Sequence, residues 1–220
     1  MTRKRRFIGA AMILVGLGLL HSVALQTAYG WMVVDQPSKG CRVAIVAVPT
    51  PECYDAAAEM LNNDELDEIV LVDQRQPRSV MIGANSGLDV NGTRELTSRG
   101  VPADKFRVVQ TDAQTLHQMY REYDREFKTS EAEECLVIST STLSRYYRHV
   151  IDQSLPLRSS AYRLRSIEPK ANDNSTWWHT RSGVRRVMNH GLRLLFVLCH
   201  GESEIDSNDP YKQLVKNATS

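Results

Sequence analysis

Hydrophobic positions along this chain fall into three patterns. The first is one unbroken stretch near the start. Phe7 to Leu25 reads FIGAAMILVGLGLLHSVAL and carries no full charge, with His21 and Ser22 as its polar interruptions. As a helix rising about 1.5 Å per residue, it would span close to the roughly 30 Å hydrocarbon core of a bilayer. The second pattern is a series of short, near-continuous apolar runs, the mark of strands covered on both faces. They are Arg42–Val48, Ile69–Val72, Phe106–Val109 and Cys135–Ile138, with the alternating stretch Ser160–Leu164 as a fifth. The third is helical spacing. An Ala-rich segment, Glu52–Leu61, follows the Pro49-Thr50-Pro51 stop. Another helix ends near Arg99, closed by Gly100 and Pro102. Thr111–Phe127 puts Leu116, Met119, Tyr120 and Tyr123 on one face, with Asp112 as its cap, and Leu143–Ile151 and Trp177 to about Leu198 complete the set. Arg78–Leu88 is less regular.

Strands alternating with helices predict an α/β fold. The expectation is a Rossmann-like, mainly parallel sheet with helices on both faces, preceded by one N-terminal transmembrane helix. The domain plan is a basic tip at 1–6, a signal-anchor at 7–25, a linker at 26–40, the α/β domain at 41–200 and a polar tail at 201–220. Ligands in such sheets bind beyond the strand carboxyl ends, where strand order reverses. The loops to inspect are therefore Val48–Cys53, Asp73–Asn91, Gln110–Thr115 and Ser139–Arg145.

Charge changes this picture mainly through its distribution. The 220 residues carry 27 Lys+Arg against 26 Asp+Glu, a formal +1, so no bulk basic field points to nucleic acid. Arg3, Lys4, Arg5 and Arg6 precede the apolar stretch, and no acid appears before Asp35. Without residues 1–25 the balance is 23 against 26. A basic tip on a faintly acidic body reads as a membrane address. By the positive-inside rule the tip stays cytoplasmic and the domain lies extracytoplasmic at the inner membrane, with Tyr29 and Trp31 at the outer interface. A cleaved signal peptide is the competing reading, for which Ala28-Tyr29-Gly30 is a poor cleavage site.

The four cysteines, Cys41, Cys53, Cys135 and Cys199, have no CxxC spacing, which argues against zinc. Cys41 and Cys135 open apolar runs that, as neighbouring strands, would bring them within reach of a disulfide; buried free thiols are the alternative. Nucleotide-binding signatures are missing. Where G-x-G-x-x-G would stand after the first strand, Pro49 and Pro51 offer no amide donors. No phosphate-binding P-loop, G-x-S-x-G or H-E-x-x-H is present, so no cofactor and no metal is expected. The run Ser139-Thr140-Ser141-Thr142, with Arg145 beyond it, could hold an anion at a helix N-terminus or simply cap that helix. Asp73, Arg75 and Arg78 follow the second strand at a similar height. His117 has no carboxylate or cysteine nearby in sequence. His179 and His190 are about three helical turns apart, too far for one metal. Trp177-Trp178 reads as packing.

The ordered set of elements resembles the SanA/ElyC/YdcF family of bacterial envelope-associated proteins. The features are one membrane segment, a first strand at Arg42–Val48, and Leu96 to Gly100-Val101-Pro102 before a strand. They continue with Thr115 opening a long helix, a strand ending in Ser139 with Arg145 beyond, and Trp177-Trp178 followed by Asn189-His190-Gly191-Leu192-Arg193-Leu194-Leu195. The resemblance implies a Rossmann-like sandwich anchored in the inner membrane, with roles in envelope integrity and cell-wall assembly. The family's pocket positions differ here. Its glycines are Pro49-Thr50-Pro51, its Ser-Gly-Gly is Asp73-Gln74-Arg75, and its acid ahead of the Gly-Val-Pro helix falls near Leu88. In its Thr-x-Glu-Asn, Thr115 persists while His117 and Gln118 replace the acid and amide. Its histidine three residues before the arginine is Thr142, and its acid in the last helix is His190.

The expected function is a membrane-anchored accessory or binding protein of the cell envelope, held to the lipid bilayer through residues 7–25. Its partners would be envelope precursors or other envelope proteins. The alternative is a divergent hydrolase or transferase acting on a phosphorylated or lipid-linked precursor. Its candidate ligand-binding residues are Arg75, Thr115, Ser139, Thr142 and Arg145.

Overall fold

A computed structural model describes residues 22–74, 88–111, 113, 115–127, 134–170 and 177–200. Five strands pair in parallel in the order β3-β2-β1-β4-β5: β1 Val43–Val46, β2 Glu68–Gln74, β3 Phe106–Thr111, β4 Cys135–Thr140 and β5 Tyr162–Ile167. Residues 22–32 are helical (α1). The remaining helices are α2 Pro51–Asn62, α3 Leu88–Ser98, α4 Leu116–Phe127, α5 Ser141–Ser154 and α6 Arg181–His200. This is the expected Rossmann-like α/β architecture.

The continuous apolar runs have a direct cause. Side chains alternate across a strand, so a strand with helices on both faces must be apolar at every position. Ile45, Val70, Val137 and Leu164 pack with the Tyr120, Tyr146 and Val150 side of α4 and α5. Ala44, Val46, Ile69, Leu71, Leu136 and Ile138 pack on the opposite face with Tyr54, Ala57, Leu61 and Leu96 of α2 and α3.

Local signals set the helix ends. Thr50 caps α2 by accepting from the Cys53 N–H, and Pro51 occupies a first-turn position where no amide is needed. Gly100 ends α3 at φ +79°; its N–H donates to Thr97 O and the Val101 N–H to Leu96 O, the paired bonds of a Schellman cap. Thr115 caps α4 by accepting from the Gln118 N–H at 3.1 Å, whereas Asp112, the cap expected from sequence, lies outside the described residues.

Several expectations change. Strands β2, β3 and β4 run on to Gln74, Thr111 and Thr140, since polar residues at the open end of a sheet still complete the ladder. Trp177 is not in the last helix: Trp177–His179 form a 3-10 turn, and Thr180 opens α6 by accepting from the Gly183 N–H at 3.1 Å. The stretch read as a linker is helical to Met32, and Tyr29 and Met32 are buried against Trp177 and Val187. Tyr29 thus faces the domain instead of an outer lipid interface. The cysteines are free thiols, with Cys41, Cys53 and Cys135 buried.

Among the described residues no helix is long and apolar enough to cross a membrane. Residues 1–21, with the basic tip and most of the apolar stretch, lie outside the described residues, as do Arg75, Arg78 and 201–220.

Candidate functional site

Strand order reverses between β1 and β4, so the crevice beyond Val46 and Thr140 is where such a sheet receives ligands. The chain leaves β4 at Thr140 and enters α5 immediately, which stacks a row of hydroxyls and one arginine at the N-terminus of that helix.

Most of those hydroxyls are spent on the protein itself. Ser141 Oγ and Tyr29 Oη share a hydrogen bond of 2.6 Å, and the same phenol donates to Glu168 Oε1 at 3.3 Å. Burial raises the Tyr29 phenol above its ordinary pKa, against the opposing effect of the Ser141 hydrogen bond. Thr142 Oγ1 and His190 Nδ1 share a bond of 2.7 Å. Ser144 Oγ accepts from the Val34 N–H at 2.7 Å and donates to Ser141 O at 2.8 Å. Helix α1, the segment after it and α6 therefore close over the start of α5. Tyr29 stacks on Trp177 with centroids 6.4 Å apart, which seats α1 from the other side.

His190 lies between two arginines on its own helix. Burial, then Arg186 and Arg193, push its pKa down to about 4, so the ring is neutral near pH 7. Arg193 stacks 4.5 Å from the Tyr146 ring centroid and donates to the Tyr146 hydroxyl at 3.0 Å.

Two polar atoms in this row stand apart. Thr140, 5% exposed, occupies the cap position of α5 without a side-chain cap bond, and its Oγ1 has no partner among the described residues. Arg145 Nε is buried and likewise without a hydrogen bond, while the guanidinium carbon sits 5.3 Å from the Trp31 ring centroid. An aromatic face offers a cation attraction without a hydrogen bond, so this arginine keeps donor capacity.

The candidate residues from sequence divide accordingly. Ser139, Thr142 and Arg145 come together at the β4–α5 junction; Ser139 is fully buried, its hydroxyl donating to Thr140 O at 3.5 Å. Thr115 is engaged in its own helix cap, and α4 meets the far end of α5 through His117 Nδ1 and Ser154 Oγ at 2.6 Å. Arg75 lies outside the described residues. Tyr29 was missed, although Leu25, Tyr29 and Met32 recur at helical spacing. The partnership of His190 with Thr142 was missed as well.

Elsewhere, a groove of about 450 Å³ runs along α2, lined by Asp55, Ala58, Glu59, Asn62, Asn63 and Arg99. Arg99 is already bound to Asp55 at 2.7 Å and Glu95 at 2.5 Å, so the groove's arginine is engaged, and the groove lies apart from the crevice. Among the described residues no three His, Cys, Asp or Glu side chains gather as a metal site.

The fold and this junction define a class: a Rossmann-like α/β domain whose switch-point helix N-terminus is covered by its own α1. No family model matches the chain, and no curated protein matches it.

Proposed function

We propose that this protein is a membrane-anchored accessory or binding protein of the bacterial cell envelope, a divergent relative of the SanA/ElyC/YdcF family, in which the switch-point crevice serves structure before chemistry. The observation that carries the reading is the Tyr29–Ser141 bond at 2.6 Å, by which α1 occupies the position where an anionic ligand would meet α5. The Thr142–His190 contact adds support. The two positions where the family resemblance sees a histidine and an acid exchanged are partners here, so the carboxylate of that family pair is absent from the junction. The charge-free stretch Phe7–Leu25 behind four basic residues supports an inner-membrane anchor, N-terminus inside and domain outside.

A specific observation favours the second reading, a hydrolase or transferase for a phosphorylated or lipid-linked precursor. Thr140 Oγ1 and Arg145 Nε, five residues apart at the start of α5, are buried and have no hydrogen-bond partner among the described residues. If α1 withdrew, they would meet a phosphate together with the first amides of α5.

Thermal-shift titration of the full chain in detergent with nucleotides and polyprenyl phosphates separates the two. The accessory reading expects no shift. A saturable rise of several degrees that Arg145→Gln abolishes would show that the crevice takes a ligand, and release of phosphate or transfer of its group on incubation would move the assignment to the second reading. Carbonate extraction and mass spectrometry of the mature N-terminus test the anchor, and a chain beginning near Trp31 would overturn it.

A further inference from the structure

Helix α6 has two apolar faces, and only one of them is covered. Val187, Leu194 and Val197 are buried in the domain. On the opposite side Val184, Met188, Leu192 and Leu195 recur at intervals of four, four and three, and Leu198 lies beside them; Met188 is 53% and Leu192 58% exposed. Apolar residues on two faces of one helix call for an apolar environment on both, a core or lipid. Here the domain supplies half of that environment.

We propose that the outer face of α6 lies in the headgroup layer of an anionic lipid bilayer. Charge complementarity is the first argument. Of the arginines on α6, Arg186 and Arg193 flank His190 and Arg193 is bonded to Tyr146, which leaves Arg181 and Arg185 for an outside partner; the sequence RSGVRRVMNHGLRLLFVLCH contains no acid. Arg181 and Arg185 are exposed on the same side as the stripe. An apolar face edged with arginine is the composition that binds anionic membrane surfaces.

Chain path is the second argument. Helix α1 packs beside α6 through Met32, whose Sδ would lie 3.6 Å from a Cβ at Gly191, and through Leu25 in the Trp177–Val187 cluster. Immediately upstream, residues 7–21 are the bulk of the charge-free stretch. A membrane entry point there sets the bilayer beside α6, and in that respect the inference rests on the anchor reading above.

Other occupants fit less well. One row of side chains presents a few hundred Å², short of the roughly 800 Å² per partner of a stable dimer. Residues 201–220 have the acids Glu202, Glu204, Asp206 and Asp209 but few apolar side chains, enough to neutralise arginines and too little to cover the stripe. Folding residues 7–21 back over α6 would bring Arg3–Arg6 toward its arginines, like charge against like.

The test uses the full chain in vesicles of three parts phosphatidylcholine to one part phosphatidylglycerol. An environment-sensitive fluorophore is placed at Leu195→Cys in a Cys199→Ser background, and at Glu59→Cys on α2 as the control. Spin-labelled lipid should quench the α6 probe roughly threefold more than the α2 probe, and Arg181→Gln with Arg185→Gln should remove most of that difference. Equal quenching at both probes overturns the proposal. So does an unquenched, blue-shifted α6 probe, whether the mass is doubled (a second copy) or single (the leader or tail). Carbonate extraction keeps the two readings apart. Carbonate-resistant protein without α6 quenching leaves the anchor and removes the α6 surface. Carbonate-released protein with α6 quenching does the reverse. Protein that does not float with vesicles removes both.

Discussion

Thr142 and His190, 48 residues apart in sequence, meet at 2.7 Å where the first turn of α5 touches the middle of α6. The contact joins a helix N-terminus to a ring that burial, and after it the flanking arginines, keep neutral. It is a structural joint with a protonation state built into it.

That joint makes stability depend on pH with a definite sign. The His190 ring has an ordinary pKa of 6.5 and is pushed down to about 4 in the folded protein. Between those values the unfolded chain binds a proton that the folded chain refuses. Stability from this group is therefore complete above 6.5 and is lost as pH falls toward 4. Urea titrations at pH 7, 5.5 and 4.5 should show the wild type losing its margin over His190→Gln as pH drops. Parallel curves for the two proteins would show that the ring does not carry the effect.

Tyr29 is the second point of closure. Tyr29→Phe removes the hydroxyl and leaves the buried Ser141 without that partner, which should cost about 1–3 kcal/mol. Tyr29→Ala also empties its place against Trp177 and should cost about 3–5 kcal/mol. Shifts in the urea midpoint at constant slope are the measurement. A neutral Tyr29→Phe would mean that α1 is held by its other contacts, among them the Tyr29 ring on Trp177, Trp31 under Arg145 and the Ser144 hydroxyl on Met32 O.

Gly183 is fixed by space at the start of α6. A Cβ there would stand 2.2 Å from Trp177 O, a backbone atom that cannot swing away. Gly183→Ala should destabilise by about 1–3 kcal/mol through forced displacement of the 3-10 turn. The near-ultraviolet circular dichroism of the tryptophans should change with the melting temperature. An unchanged spectrum and midpoint would place the Trp177 turn elsewhere.

Thiol reactivity should split into one fast and three slow groups. Cys199 is exposed, whereas Cys41 is buried, with its pKa pushed up to about 11 by burial and then by Glu134. Burial raises Cys53 and Cys135 in the same direction. Alkylation of the native protein at pH 8 should label Cys199 first, and Cys199→Ser should abolish the fast phase. Rapid labelling of a second cysteine would contradict the packing around β1 and β4.

The fold was readable because its rule is local. Strands between two helical layers are apolar at each successive position, as in Val43–Val46 and Cys135–Ile138, and the caps at Thr50 and Gly100 sit beside the helices they end. Strand β5 was weaker in sequence because it is an edge, with Arg163 and Arg165 alternating among buried Tyr162 and Leu164. The junction was readable only on one side. Ser141, Thr142 and Arg145 follow a strand and announce themselves, but their partners Tyr29, His190 and Trp31 come from distant segments. No periodicity within α5 encodes which helix will cover it. Tyr29 looked like an interfacial aromatic because it follows an apolar stretch, a pattern that a buried packing face shares.

The closure by α1 also orders events during synthesis. Tyr29 leaves the ribosome long before Ser141, 112 residues further on, and longer still before Trp177. Its docking surface does not exist until the last helices have been made, so this seam has high contact order and closes late. Until then a nascent chain presents the empty start of α5 and an unseated aromatic helix to its surroundings, and both stay open to other contacts for that interval.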